Sequence, residues 1–270
     1  QNIDRAIDFI DTAARIGCDA VKFQLFRIDK LFAPEILIKS KKHRDRRNWE
    51  LPLEFLPILS RRCSEHGIKF SCTPFYLEAV TQLKPYIDFY KIASYELLWE
   101  NLLVECAKTK KDVIISTGMA TLPEINKAVR MLRKHHCEPI ILHCTSAYPT
   151  PFEDANLKAI ESIRSATNCQ IGWSDHTANP AVIYRAVHKW NAKTIEFHLD
   201  IDGKGAEYKN GHCWLPDDIE KVITHIRQGL GSDGDGIKEP VGSELSDRLW
   251  RTDNSDGLRP DKSIRSTFIE

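Results

Sequence analysis

Seven short apolar runs punctuate this chain, each closing in a polar cluster and each separated from the next by a segment long enough to hold a helix. They are Cys18–Leu25, Ile68–Phe75, Asp88–Glu96, Asp112–Met119, Pro139–Tyr148, Cys169–Thr177 and Lys193–Asp202. Val113, Ile114 and Ile115, like Ile140, Ile141 and Leu142, form stretches without a polar face, the pattern of parallel strands covered on both sides. Helical stripes alternate with them: Ile125, Ala128, Val129 and Leu132 make one, and Leu157, Ile160 and Ile163 another. Helices are predicted near Ile3–Ile16, Leu53–His66, Leu77–Leu83, Asn101–Lys108, Leu122–His135, Asn156–Ser165, Ala181–Trp190 and Asp217–Leu230. Such alternation predicts an α/β fold, a (β/α)₈ TIM barrel. Eight helices against seven strands, with a helix coming first, predict that the barrel's first strand is missing at the N-terminus. Residues 1–230 are expected to form the catalytic barrel, and the Gly- and Pro-rich residues 231–270 an extension without an independent fold.

Composition excludes several function classes. Charge is balanced, 38 basic against 38 acidic residues, which gives no electrostatic reason to expect nucleic acid or a membrane surface as partner. No apolar run approaches the roughly 20 residues that span a bilayer. The eight cysteines include no CxxC pair, and Cys63, Cys72, Cys106, Cys144 and Cys169 fall inside expected helices and strands. Reduced, packed thiols in a cytoplasmic protein are therefore expected, with no disulfide framework and no zinc–thiolate site. The basic run Lys39–Arg47 lies in a long loop between Phe26 and Leu51. Its plain reading is a solvated surface, but a loop at this end of a barrel overlies the active face, which makes Arg47 and Asn48 candidate substrate contacts.

Chemistry concentrates where the strands end. Lys22 and Lys91 sit in strands that otherwise bury both faces, and a buried ammonium needs a negative partner. Two lysines converging on one volume call for a dense negative charge, most simply a ligand carrying phosphate and carboxylate. Ser71, Thr73, Ser94, Ser116, Thr117, Thr145, Ser146 and Ser174 supply hydroxyls around them. Each alone is an ordinary strand-end cap; together they describe an anion pocket. Two histidines close the last two runs, in Ser174-Asp175-His176 and Glu196-Phe197-His198. Neighbouring strands would set His176 and His198 side by side, within reach of one first-row divalent ion such as Mn²⁺ or Zn²⁺, with positions left open for substrate oxygen.

Taken in order, Lys22-Phe23-Gln24, Ser71-Cys72-Thr73-Pro74-Phe75, Tyr90-Lys91-Ile92-Ala93-Ser94-Tyr95-Glu96, Ile115-Ser116-Thr117-Gly118-Met119, His143 through Pro151, Gly172 through Thr177 and Glu196-Phe197-His198 form a series. It resembles the motif series of the N-acetylneuraminate (sialic acid) synthase family over about residues 1–230. The resemblance implies a barrel that condenses phosphoenolpyruvate with the open-chain aldehyde of an N-acylmannosamine-type sugar, releasing phosphate. It further implies phosphoenolpyruvate contacts at Lys22, Thr73, Lys91, Ser116 and Ser174, with Ser146 where some relatives carry Asn, a divalent metal, Mn²⁺, on His176 and His198, and acidic groups at Glu96, near the reacting carbons, and at Glu207, after the eighth strand; Gln24 and Ser94 are expected among the substrate-binding residues. Lys91 counts with these two as catalytic, and Asp175 or Glu207 is expected to orient the metal-bound groups.

Two departures accompany the resemblance. A family glutamate lies on the first strand, which is expected to be missing from this sequence, so that residue is not seen here. The tail does not resemble the antifreeze-like domain that many members carry, whose arginine reaches the sugar in the partner subunit, and Arg251, Arg259 or Arg265 would have to substitute. Relatives form homodimers, so a homodimer is expected. Two other classes fit the residues less fully: a metal-dependent aldolase or hydrolase, which leaves the lysines unexplained, and a non-catalytic sugar-phosphate-binding barrel.

Overall fold

The structure, a computed structural model, describes residues 2–268 and divides the chain into two units, Gln1–Arg227 and Gln228–Glu270. The first unit carries eight parallel strands, β1 (Ala20–Leu25), β2 (Lys69–Pro74), β3 (Phe89–Ile92), β4 (Asp112–Ser116), β5 (Ile140–His143), β6 (Ile171–Asp175), β7 (Ile195–Leu199) and β8 (Cys213–Trp214), paired in sequence order. Seven of these are the expected runs. The eighth is a correction to the expected count: β8 is two residues long, held to β7 by the pairs His198↔Cys213 and Leu199↔Trp214. Two residues carry no periodicity, so the sequence pattern had nothing to register.

Helices fill the connections: α1 (Ile3–Arg15), α2 (Leu56–Glu65), α3 (Leu77–Leu83), α4 (Glu100–Lys108), α5 (Leu122–Lys134), α6 (Ala159–Thr167), α7 (Pro180–Tyr184, continued by a π-helical turn to Lys189) and α8 (Pro216–Gly231). Local chemistry sets their ends. Asn2 Oδ1 accepts from the amides of Asp4 and Arg5 to start α1, and Thr121 and Glu124 form a capping box on α5, with Pro123 in its first turn. The stripe expected on α5 is the buried one: Ile125, Ala128, Val129 and Leu132 all face the sheet. Each large aliphatic side chain buried this way contributes about 1.5–3 kcal/mol relative to exposure. No helix among the described residues is long and apolar enough to cross a membrane.

The sheet is strongly curled. Lys22 on β1 and Glu196 on β7 lie six strands apart, about 29 Å in a flat sheet at roughly 4.8 Å per strand. Their charged atoms are 3.6 Å apart. Register shows which side chains face the concave side, because paired residues of a parallel sheet project together. The pairs Lys22↔Ser71, Gln24↔Thr73, Ser71↔Phe89, Lys91↔Ile114, Ser116↔Leu142, Leu142↔Gly172 and Ser174↔Glu196 run through one interior face. The opposite face gives Val113, Ile115, Ile141, Ile171 and Trp173 to the helices. Gly172 permits a close approach, since a Cβ there would stand 2.2 Å from the Thr194 carbonyl oxygen.

Two expectations of extent are revised. Strands end earlier than their polar tails suggested: β3 stops at Ile92 and a 3₁₀ turn takes Ser94–Glu96, while β5 stops at His143. The segment expected as a long loop folds into the short helices Ile28–Leu31, Pro34–Lys39 and Lys41–Asp45 and the turn Arg46–Trp49, where the Glu50 carboxylate accepts from the Ile28 amide at 2.8 Å. In the second unit the Asp253 carboxylate gathers the amides of Ser255 and Lys262, Arg265 pairs with Asp256, and Trp250 packs on Phe268 at 5.1 Å.

Candidate active site

The two interior lysines meet over a single carboxylate. Lys91 Nζ lies 3.3 Å from Glu196 Oε2 and donates to Ser116 Oγ at 2.6 Å; Lys22 Nζ lies 3.6 Å from Glu196 Oε1. Ser174 Oγ donates to Glu196 Oε2 at 2.7 Å. Strands β1, β3, β4, β6 and β7 thus send one side chain each to the same volume. Burial alone would raise the Glu196 carboxyl, but Lys91, Lys22 and Ser174 outweigh it and hold it well below the usual carboxylate range. Burial lowers the Lys91 ammonium, 4% exposed, against the pull of Glu196. Part of the negative charge expected from a ligand is therefore the chain's own. Two ammoniums against one carboxylate still leave one positive charge uncompensated, which favours an anion.

Sequence reasoning did not single out Glu196 as a site residue. Its signal was present: it stands two residues before His198 on the same face of β7, inside the run chosen for that histidine.

Several buried polar atoms lack partners. Among the described residues, four buried side-chain polar atoms lack a hydrogen-bond partner: Thr73 Oγ1, Glu96 Oε2, Ser146 Oγ and His212 Nδ1. Such groups are rare, because each forfeits its hydration without replacement. Three of the four belong to residues expected in the pocket. Ser94 and Ser146 converge on Gly118, whose φ of +29° admits no side chain easily; a Cβ there would lie 2.2 Å from Ser146 Oγ and 2.5 Å from Ser94 Cβ. Cys144 Sγ, 3.2 Å from both Ser94 Oγ and the Gly118 amide, completes this floor. Burial pushes the Glu96 carboxyl up to about 7, so near neutral pH it is divided between its acid and base forms.

The histidines stand together at the mouth. His176 and His198 have ring centroids 5.3 Å apart, with the Tyr148 ring 4.3 Å from His176. His176 Nδ1 lies 2.8 Å from the Thr145 carbonyl oxygen, a contact that assigns the proton to Nδ1 and leaves Nε2 as a lone-pair donor. Burial lowers the same ring to about 4, which keeps it neutral and able to ligate at physiological pH. Glu207, on the short helix Ala206–Lys209, brings Oε2 to 3.6 Å from His198 Nδ1 and 3.9 Å from His212 Nε2, and His198 holds its carboxyl below the usual range. A neutral imidazole with a free nitrogen, a second imidazole beside it and an ionised carboxylate are donor types that suit a divalent ion.

Other expected residues separate from this group. Asp175 projects to the opposite face of β6, where its carboxylate accepts from the indoles of Trp173 and Trp214 at 3.1 and 3.0 Å, from Thr177 Oγ1 at 2.7 Å and from the Ala178 amide at 3.1 Å. It fixes β8 and the β6 turn, and its oxygens are not available to orient metal-bound groups. Thr117 and Thr145 donate to the carbonyls of Leu142 and Asp154. Gln24 shares the face of Lys22 but is exposed at the end of β1. Asn48 and Arg47 are exposed on the Arg46–Trp49 turn, and among the described residues no hydrogen bond or ion pair ties either side chain to the lysine pair.

Comparison with known proteins adds a separate line. The NeuB family model matches residues 9–238. The N,N'-diacetyllegionaminic acid synthase of Campylobacter jejuni is 32% identical over 257 residues, covering 90% of this chain and 77% of that protein. A pseudaminic acid synthase of the same species is 33% identical over 262 residues, 92% of this chain and 76% of its own length. Among solved structures, the sialic acid synthetase of Leptospira borgpetersenii superposes with a TM-score of 0.80 at 30% identity, covering 91% of this chain and 85% of that one. With its lysine and histidine positions at the strand ends of a curled parallel sheet, and a family match across most of its length, this chain belongs to the NeuB family.

Proposed function

We propose that this protein condenses phosphoenolpyruvate with the open-chain aldehyde of an N-acylmannosamine-type sugar, giving a sialic-acid-like nonulosonate and inorganic phosphate. The observation that carries the proposal is the paired-lysine cradle, two lysines over one carboxylate; the buried Thr73 and Ser146 hydroxyls, left without partners, support it. It offers what a small ligand bearing phosphate and carboxylate requires. Relatives named as nonulosonate synthases support the same class.

In this mechanism Lys22, Lys91, Ser116 and Ser174 hold the enol phosphate and fix the face it presents, while Thr73, Ser94 and Ser146 donate to its outer oxygens. His176 and His198 would hold a divalent metal, Mn²⁺ in the family reading. Such an ion supplies polarisation of an aldehyde oxygen when bound. C3 of the enol phosphate forms the new bond to the aldehyde carbon, whose oxygen takes up a proton. Water adds to the resulting cationic C2, and the tetrahedral adduct expels phosphate to leave the ketone of a 2-oxo acid. Glu96, divided between acid and base near pH 7, takes the proton of that water, and Glu207 orients the groups around His198. Tyr148, stacked over His176, covers the mouth from one side.

A cytoplasmic setting and a homodimer complete the proposal; the eight cysteines are all unpaired, which suits a reducing compartment. The test is a panel of N-acetylmannosamine, its 6-phosphate and diacetamido-trideoxyhexoses, each with phosphoenolpyruvate and Mn²⁺, reading phosphate release against nonulosonate formed. One acceptor should give both in equal amounts. No acceptor-dependent phosphate release from any of them would refute the proposal.

A further inference from the structure

One feature of the pocket is unused by this mechanism. His212 is 3% exposed, and among the described residues neither of its ring nitrogens makes a hydrogen bond; Nδ1 is wholly buried without a partner. A buried donor or acceptor left unsatisfied forfeits its hydration without replacement. His212 immediately precedes Cys213, which is paired in register with His198 and so projects to the same face of the sheet. Glu207 reaches toward both histidines from the turn before β8. One ligand atom from each of His198, Glu207, His212 and Cys213 lies within 4.8 Å of the other three.

We infer that these four residues form a metal centre with two nitrogen, one oxygen and one sulfur ligand, suited to a thiophilic divalent ion such as Zn²⁺ or Co²⁺ in place of Mn²⁺. It shares only His198 with the metal pair of the proposed mechanism and departs from that pairing, setting three other ligands in the place of His176 and naming the class of ion. Tetrahedral zinc with ligands at its usual bond lengths sets them about 3.3–3.8 Å from one another, so the four need to draw in by about 1 Å. Glu207 can make most of that movement, being 62% exposed on a four-residue helix. Nitrogen and thiolate donors favour Zn²⁺ and Co²⁺, whereas Mn²⁺ prefers a site of oxygens. The lack of any CxxC pair does not oppose this, because a single thiolate among nitrogen and oxygen ligands needs no such motif.

Cobalt reports each element directly. The metal-free reduced protein, titrated anaerobically with Co²⁺ and no substrate, should develop intense visible d–d bands of a tetrahedral ion and a near-ultraviolet thiolate-to-cobalt charge-transfer band. Cys213→Ser should lose the charge-transfer band, and Cys144→Ser should keep it. His212→Gln should weaken Co²⁺ binding about tenfold or more, and Zn²⁺ should displace Co²⁺ where equal Mn²⁺ does not. A wild-type spectrum without the charge-transfer band overturns the inference whatever the variants do. So does binding that survives in His212→Gln but vanishes in His176→Gln, which would put the ion on the His176–His198 pair. Phosphoenolpyruvate-dependent turnover without the thiolate band leaves the proposed reaction standing and this centre refuted; the band without turnover does the reverse.

Discussion

Replacing Glu96 by Gln should depress the proposed turnover and stabilise the fold, and the second effect should depend on pH. Burial moves the Glu96 carboxyl from 4.5 to about 7. Between those values the native protein holds a proton that the unfolded chain has released, so stability falls as pH rises. A displacement of this size is worth about 3 kcal/mol once pH exceeds both values, at about 1.4 kcal/mol for each tenfold change in proton affinity. Gln cannot ionise and escapes this penalty, while any packing cost of the amide is the same at every pH. The gap between Glu96→Gln and wild type should therefore grow by about 2.5 kcal/mol in favour of the variant from pH 5 to pH 8. Urea unfolding followed by circular dichroism at pH 5, 6, 7 and 8 gives the two curves. Turnover, assayed in parallel, should fall much more than phosphoenolpyruvate affinity. Parallel stability curves would refute the buried carboxyl; equal losses in kcat and affinity would refute its role on water.

Three further outcomes are expected. Glu196→Gln leaves Lys22 and Lys91 without their shared anion and should lower stability by about 3–5 kcal/mol, with inorganic phosphate raising the variant's unfolding midpoint more than that of wild type; an equal phosphate effect on both would count against the cradle. Gly172→Ala drives a methyl against the Thr194 carbonyl at 2.2 Å and Leu142 Cδ2 at 2.6 Å, so β6 and β7 must part at a cost of about 1–3 kcal/mol, read as a lowered thermal midpoint that an unchanged melt would contradict. Asp175→Asn removes one acceptor from between the Trp173 and Trp214 indoles and should cost about 1–3 kcal/mol with altered tryptophan fluorescence; unchanged emission would mean that the indole contacts are unimportant.

Much of the site was legible because its geometry is local. Alternation along a strand puts Lys22 with Gln24 and Glu196 with His198, and the order of the runs puts His176 next to His198. The same locality explains the misses. Asp175 read as part of the Ser174–His176 motif, yet a neighbour one step along a strand points to the other face and serves the Trp173 and Trp214 indoles. Asn48 was chosen for the loop it occupies, and loop position alone does not aim a side chain.

By itself the sequence determined the alternation of strand and helix, the apolar stripes that cover the sheet, and the residue types delivered to each strand end, since these follow from periods of two and 3.6 residues. Only the tertiary structure decided that Glu196 is the counter-ion of both lysines, and that His212 and Cys213 stand beside His198. The first depends on how far the sheet curls, which brings Lys22 of β1 to Glu196 of β7 and is set by packing across many residues; the second depends on the pairing of the two-residue β8 with β7, too short to leave a pattern in the sequence.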